Sequence, residues 1–108
     1  MSIYIHRAIE KELKAAASEF PVAVLTGPRQ TGKSTLLRKT FPKYEYATFD
    51  DPVTRKLAAD DPKTFLARAE RMIIDEIQYL PEILPYIKMS VDENRSVKGR
   101  FLLTGSQY

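Results

Sequence analysis

Eight residues near the start of the chain, residues 27–34, constrain its fold more than any other stretch. They read Gly-Pro-Arg-Gln-Thr-Gly-Lys-Ser and fit G-x-x-x-x-G-K-[ST], the phosphate-binding loop or Walker A pattern. A short apolar run, residues 21–26, precedes the loop and is typical of a buried strand. Residues 34–40 follow it with helical spacing and no helix breaker before Pro42. A strand, a glycine-containing turn and a helix in this order are the context that the pattern requires.

The residue types in the loop suit the binding of nucleotide phosphates. Glycines let the backbone wrap closely, so that several N–H groups converge on phosphate oxygens. The helix that follows directs its own N-terminal N–H groups toward the same anion. Lys33 adds a positive charge for the β- and γ-phosphates, and the Ser34 hydroxyl can bind Mg²⁺. The predicted nucleotide-binding residues are Gly27, Pro28, Arg29, Gln30, Thr31, Gly32, Lys33, Ser34 and Thr35.

Composition narrows the class of protein without identifying a partner. The chain has 108 residues, enough for one modest domain, and 44% of them are hydrophobic. The absence of cysteine excludes disulfides and thiolate zinc sites, and the single His6 argues against a histidine-based metal site. No apolar run is long enough to span a membrane, and we expect a cytoplasmic location. The net charge of +3 permits a nucleic-acid partner but does not argue for one.

The order of the predicted elements indicates an α/β fold. We expect residues 1–20 to form an N-terminal helix, with Phe20 on its apolar face, and residues 21–108 to hold the strands. Strands that alternate with helices form a mostly parallel sheet covered on both faces, which is a three-layer sandwich. Within it, Asp51 and Asp61 each precede a proline and are predicted to cap helices. Asp50 and Asp51 also lie at the carboxyl end of a predicted strand, and for them we favour capping over a catalytic role.

A second carboxylate site follows the apolar run Met-Ile-Ile-Asp at residues 72–75. An aspartate at the end of such a strand can hold Mg²⁺ through water beside Ser34, as in the Walker B arrangement, and Asp75 is the predicted residue. Its neighbour Glu76 can orient and polarise a water that attacks the γ-phosphate. The alternative makes Glu76 the N-cap or first-turn acid of the next helix. We predict Ser34 and Asp75 as metal ligands, with Glu76 and Lys33 as catalytic residues.

Three segments carry the most specific signal: residues 25–34, then Ile-Ile-Asp-Glu-Ile-Gln at 73–78, then Phe-Leu-Leu-Thr-Gly-Ser at 101–106. In this order they resemble the prokaryotic AAA-type P-loop ATPases that carry a further C-terminal domain of unknown function. The resemblance implies ATP as ligand, Mg²⁺ as cofactor and a sheet in the strand order 5-1-4-3-2. It also implies a polar sensor residue at the end of the fourth strand, a role that we assign to Ser106 first and to Thr104 second.

The resemblance covers nearly the whole chain but only the N-terminal part of the family's ATPase core. We therefore expect an AAA-type core that is truncated after its fourth strand, with the first strand left as an exposed apolar edge. Such an edge predicts self-association. A missing C-terminal region or a partner protein would complete the core.

The leading functional hypothesis is an ATP- and Mg²⁺-binding core that hydrolyses ATP in its complete form. We expect this chain to bind nucleotide and to hydrolyse it weakly if at all. Two alternatives stay open. One is a nucleotide-binding switch or assembly module that does not hydrolyse ATP, and the other is a P-loop small-molecule kinase.

Overall fold

A four-stranded parallel β-sheet with helices on both faces forms the part of the chain that the computed structural model describes, residues 3–27 and 32–106. The strands are β1 (Val22–Thr26), β2 (Glu45–Thr48), β3 (Met72–Asp75) and β4 (Phe101–Gly105). The helices are α1 (Ile3–Glu19), α2 (Lys33–Thr40), α3 (Pro52–Asp60), α4 (Pro62–Ala67) and α5 (Leu84–Glu93). Two 3₁₀ turns, Ile77–Tyr79 and Pro81–Ile83, connect β3 to α5. None of the helices described is long and apolar enough to cross a membrane.

The strand order is β1-β4-β3-β2, which is the 1-4-3-2 part of the order that the resemblance implies. Neighbouring strands are parallel, with Leu25 opposite Thr104 and Ala47 opposite Ile74. All four strands therefore end at the same edge of the sheet, which we call the carboxyl edge. Open α/β sheets bind their ligands at this edge. The predicted α/β class is confirmed.

Alternate side chains of the central strands enter two hydrophobic clusters, one on each face of the sheet. On one face, Ile73 and Leu102 pack with Leu13 of α1 and Leu37 of α2. Because β3 and β4 are covered on both faces, all their residues are buried and no polar alternation appears. The other face is covered by α3, α4 and α5, and its larger cluster includes Phe49, Phe65, Met72, Ile74, Ile87, Phe101 and Leu103.

Strand β1 lies at one edge of the described sheet and is less covered than β3 and β4. None of its residues is buried, and Val24 in its middle is 56% exposed. Ala23 and Leu25 pack against the cluster under α1 and α2, so Val24 points to the opposite face. The first strand is thus an exposed apolar edge within the part of the chain that the structure describes, as predicted.

Two helices begin at the aspartate–proline pairs, as predicted. The Asp51 side chain accepts a backbone N–H in the first turn of α3 at 3.0 Å, and Asp61 does the same for α4 at 3.2 Å. The prediction for Phe20 is wrong. This residue lies beyond the end of α1, where the chain turns toward β1, and its side chain is 55% exposed.

Candidate functional site

The turn between β1 and α2 depends on two glycines with positive φ angles. Gly27 has a φ of 153° and Gly32 a φ of 77°, values that L-residues with a side chain rarely adopt. Among the described residues, a Cβ at Gly32 would meet no atom within 4 Å, so the backbone conformation is what favours glycine there. Gly32 is also the N-cap of α2. Four predicted phosphate-binding residues lie outside the described residues: Pro28, Arg29, Gln30 and Thr31.

The Lys33 ammonium lies at the carboxyl edge between β1 and β4. Its Nζ donates to the Gly27 carbonyl at 2.6 Å and to the Gly105 carbonyl at 3.0 Å. These acceptors are the residue that follows β1 and the last residue of β4. The contacts fix a full positive charge beside the first turn of α2, where the loop pattern requires it.

The two predicted metal ligands lie at the same edge and are joined by one side chain, that of Tyr46. Ser34 Oγ in the first turn of α2 is 3.1 Å from the Tyr46 hydroxyl. This hydroxyl, carried by β2, donates to Asp75 Oδ2 at 3.1 Å. The fold therefore brings a serine hydroxyl and an aspartate carboxylate within hydrogen-bonding distance of a single phenolic oxygen.

Thr104 of β4 holds Asp75 through its other oxygen. The Thr104 hydroxyl donates to Asp75 Oδ1 and accepts the backbone N–H of Glu76 at 3.0 Å. Thr104 is fully buried, and Asp75 and Glu76 are nearly so. Both carboxylate oxygens of Asp75 thus accept a hydroxyl hydrogen bond, which fixes the orientation of the carboxylate.

Glu76 follows β3 in a left-handed backbone conformation, with a φ of 58° and a ψ of 52°. It occupies the N-cap position of the next 3₁₀ turn, but its side chain makes no capping hydrogen bond. Gln78 Nε2 donates to Glu76 Oε2 at 3.1 Å, and Gln78 Oε1 accepts the backbone N–H of Ser106 at 3.3 Å. Gln78 therefore links the predicted catalytic carboxylate to the end of β4.

The two sensor candidates have different surroundings. The Thr104 hydroxyl is engaged with the Asp75 carboxylate and the Glu76 backbone. The Ser106 hydroxyl is buried and has no hydrogen-bond partner among the residues that the structure describes. Because a buried hydroxyl without a partner costs free energy, Ser106 has the greater need of an external ligand.

Thr35 lies beside these residues, at a cleft between α2 and β2. The cleft has a volume of about 450 Å³, and its lining includes Thr35, Arg38 and Tyr46. Thr35 is exposed, and its contact with a phosphate stays a prediction.

Comparison with known proteins assigns a family to this arrangement. The family model described as "AAA domain" matches residues 19–108, most of the chain. The chain belongs to the AAA domain family. This AAA domain is accordingly a P-loop, ATPase-like domain of the nucleotide-binding kind.

Two similar relatives are mycobacterial. The AAA domain is 36% identical over 96 residues to the uncharacterized protein Mb2031c of Mycobacterium bovis, and equally to the uncharacterized protein Rv2008c of Mycobacterium tuberculosis. The similarity covers 87% of this chain and 22% of each relative. The chain therefore spans about a fifth of the length of the curated relatives that it matches.

Two oxygen-bearing side chains at this edge of the AAA domain suit Mg²⁺, the ion that its family usually binds with the nucleotide. The Ser34 hydroxyl and the Asp75 carboxylate are hard oxygen donors, the type that Mg²⁺ prefers. Among the described residues there is no group of three or more His, Cys, Asp or Glu side chains that could hold a metal ion. Mg²⁺ at a nucleotide site does not need one, because it binds one or two protein groups, waters and phosphate oxygens.

Tyr46 is the residue of the site that the sequence interpretation missed. Its place depends on the sheet order, which puts it opposite Ile73 of β3, and on the packing of α2. Burial raises the pKa of the Tyr46 hydroxyl; the Ser34 hydrogen bond opposes this effect, and the Asp75 charge adds to it. The hydroxyl therefore keeps its proton at neutral pH and can donate it to Asp75. The only sequence signal is the alternation of Tyr44 and Tyr46 in a predicted strand, which is more typical of packing.

Proposed function

We propose that this AAA domain binds ATP with Mg²⁺ at the carboxyl edge of its sheet and that the complete protein hydrolyses the nucleotide. The observation that carries the proposal is the convergence of Lys33, Ser34, Asp75 and Glu76 at this edge, with Tyr46 between two of them. They come from the N-terminus of α2 and the end of β3, the two positions from which P-loop proteins recruit phosphate and metal ligands.

Each residue has a distinct role in the proposed reaction. Lys33 binds phosphate oxygens and stabilises the charge of the transition state, and Glu76 orients the attacking water and accepts its proton. Ser34 and Asp75 would hold Mg²⁺, which neutralises phosphate charge when bound. Ser106 would donate its hydroxyl hydrogen bond to the γ-phosphate.

A nucleotide-binding switch that does not turn over is the second candidate. The hydrogen bond from Gln78 to the Glu76 carboxylate favours it. Because the Gln78 amide occupies one acceptor site of this carboxylate and weakens it as a base, we expect slow hydrolysis from this chain.

The partners of the complete protein follow from the exposed strand and from the length of the relatives. We propose that the rest of the longer protein, or a partner protein, covers β1, and that the chain alone associates with a second copy there. The absence of cysteine fits a cytoplasmic location. Nucleic acid is a further candidate partner. The mild positive charge permits it but does not argue for it.

Calorimetric titration with ATP, ADP and GTP, each with Mg²⁺, tests the proposal when it is combined with a phosphate-release assay on the same sample. We expect saturable binding of ATP and slow release of phosphate. Tight binding without any release would favour the switch, and phosphate transfer to an added acceptor would favour a kinase. A sample that binds none of the three nucleotides would contradict the proposal.

A further inference from the structure

We propose that Tyr46 is a positioning residue that orients the two magnesium ligands, an inference that rests on the nucleotide-binding function proposed above. The Tyr46 hydroxyl is 3.1 Å from Ser34 Oγ and 3.1 Å from Asp75 Oδ2. Tyr46 would hold the Ser34 hydroxyl with its lone pairs available to Mg²⁺ and would fix the Asp75 carboxylate near that hydroxyl.

The donor and acceptor capacities of these groups fix the direction of the hydrogen bonds. A phenol has one proton, and Tyr46 donates it to the Asp75 carboxylate, which can only accept when ionised. The bond between Ser34 and Tyr46 must then use the serine proton. A serine hydroxyl with its proton engaged in this way presents lone pairs to any other neighbour, which is the form that a cation requires. Without the phenol, the serine hydroxyl is free to rotate.

The Tyr46 ring is held by the same helix that carries Ser34. The Arg38 guanidinium lies 4.3 Å from the centroid of the Tyr46 ring, in a cation–π arrangement. Arg38 is one helical turn after Ser34, so both contact the same tyrosine from one face of α2. The ring also packs against the apolar cluster that contains Ile73. Replacement by phenylalanine keeps these ring contacts and removes the hydroxyl alone.

The test is the magnesium dependence of nucleotide binding by the Tyr46→Phe variant of the 108-residue chain. Fluorescence of N-methylanthraniloyl-ATP would be titrated over a range of Mg²⁺ concentrations and, separately, in EDTA. We expect the Mg²⁺ concentration for half-maximal binding to rise roughly threefold to tenfold, the effect of one lost hydrogen bond. Affinity in EDTA should not change, because Lys33 and the loop are intact.

Tyr44→Phe is the matched control. It removes a phenolic hydroxyl two residues earlier, in a side chain that lines the same cleft. The Tyr44 hydroxyl interacts with the Arg71 side chain, whereas the Tyr46 hydroxyl contacts Ser34 and Asp75. We expect this variant to keep the wild-type magnesium midpoint.

The outcomes separate this inference from the proposed function. If the wild-type chain binds no nucleotide, both are overturned. If the wild type shows magnesium-dependent binding and Tyr46→Phe has an unchanged or lower midpoint, the role of Tyr46 alone is overturned. A defect in Tyr46→Leu that is absent in Tyr46→Phe would assign the effect to ring packing, with the same consequence.

A measurement on the wild-type chain tests the proposal even if the Tyr46→Phe variant does not fold. Proton NMR should detect a Tyr46 hydroxyl proton that exchanges slowly with water, because the half-buried hydroxyl donates it to the Asp75 carboxylate. A Tyr46 hydroxyl proton that exchanges as fast as that of an exposed tyrosine would overturn the proposed positioning role of Tyr46.

Discussion

At the residue scale, Glu76 combines an unusual backbone with a nearly buried carboxylate. It is the non-glycine residue with positive φ in the described part of the chain, and this conformation costs about 1–2 kcal/mol. The Thr104 hydroxyl accepts its N–H, so the surrounding structure holds the conformation in place. Strained residues of this kind concentrate at functional sites. The strained backbone supports the proposal that Glu76 has a functional role at the site.

We predict that Glu76→Gln keeps nucleotide binding and lowers phosphate release by about 100-fold or more, the usual contribution of a general base. The amide has nearly the same shape as the carboxylate but cannot accept the proton of the attacking water. Binding is measured by calorimetry and turnover by steady-state phosphate release.

The control is Glu93→Gln, which makes the same change at an exposed glutamate at the end of α5. It should leave both quantities as in the wild type. If Glu76→Gln released phosphate at the parent rate, the role of Glu76 in positioning water would be wrong.

At the element scale, α4 depends on the cap that begins it. Asp61 accepts hydrogen bonds from the first turn of this short helix, and these bonds with Thr64 lower the pKa of Asp61 below its ordinary value. Because the pKa of Asp61 is lower in the folded state, the cap makes its full contribution to stability at pH values above the pKa of Asp61 in the unfolded chain, which is near 3.9. The contribution is lost as the pH falls through the folded pKa.

We therefore predict that Asp61→Ala lowers the free energy of unfolding equally at pH 7 and pH 5, and by less near pH 3. Urea denaturation at the three pH values measures the difference. Asp60→Ala is the control, because the Asp60 carboxylate forms an exposed ion pair with Lys56 at 3.2 Å, and such pairs contribute little. A difference between wild type and Asp61→Ala that grew toward pH 3 would contradict the capping role.

Local signals account for what the sequence predicted well. The strand and helix that flank the loop pattern, the Asp-Pro pairs and the apolar run ending at Asp75 each depend on a few adjacent residues, and the structure contains each of these elements. The features that the sequence did not predict depend on how segments distant in the chain pack together. The bridge through Tyr46 needs α2, β2 and β3 together. Likewise, Val53 and Leu57 of α3 are exposed, because the elements that α3 packs against determine which of its faces is buried.

At the scale of the whole molecule, the uncovered strand β1 is the feature most relevant to assembly. β3 and β4 are buried throughout, whereas β1 pairs on one side with β4 and leaves Val24 exposed. An apolar strand with unpaired backbone groups on its outer side is a template for pairing with another chain.

We predict that the chain self-associates in a concentration-dependent manner and that Val24→Lys weakens this association roughly tenfold or more, because like charges would then face each other. Sedimentation velocity over a range of concentrations measures the effect. Val53→Lys is the control, since it adds the same charge at an exposed valine of α3. Equal association of the two variants would exclude the β1 edge as the interface.

In the proposed function, the turn before α2 binds a triphosphate through Lys33. Calorimetric titration of ATP with Mg²⁺ into the wild type, Lys33→Ala and Lys39→Ala tests it directly. Lys39 is an exposed lysine of the same helix, so its variant removes an equal charge away from the turn. We predict that Lys33→Ala weakens binding by more than about tenfold, as expected for lost charge-assisted hydrogen bonds, while Lys39→Ala binds as the wild type does. Equal affinity of Lys33→Ala and the wild type would contradict the account.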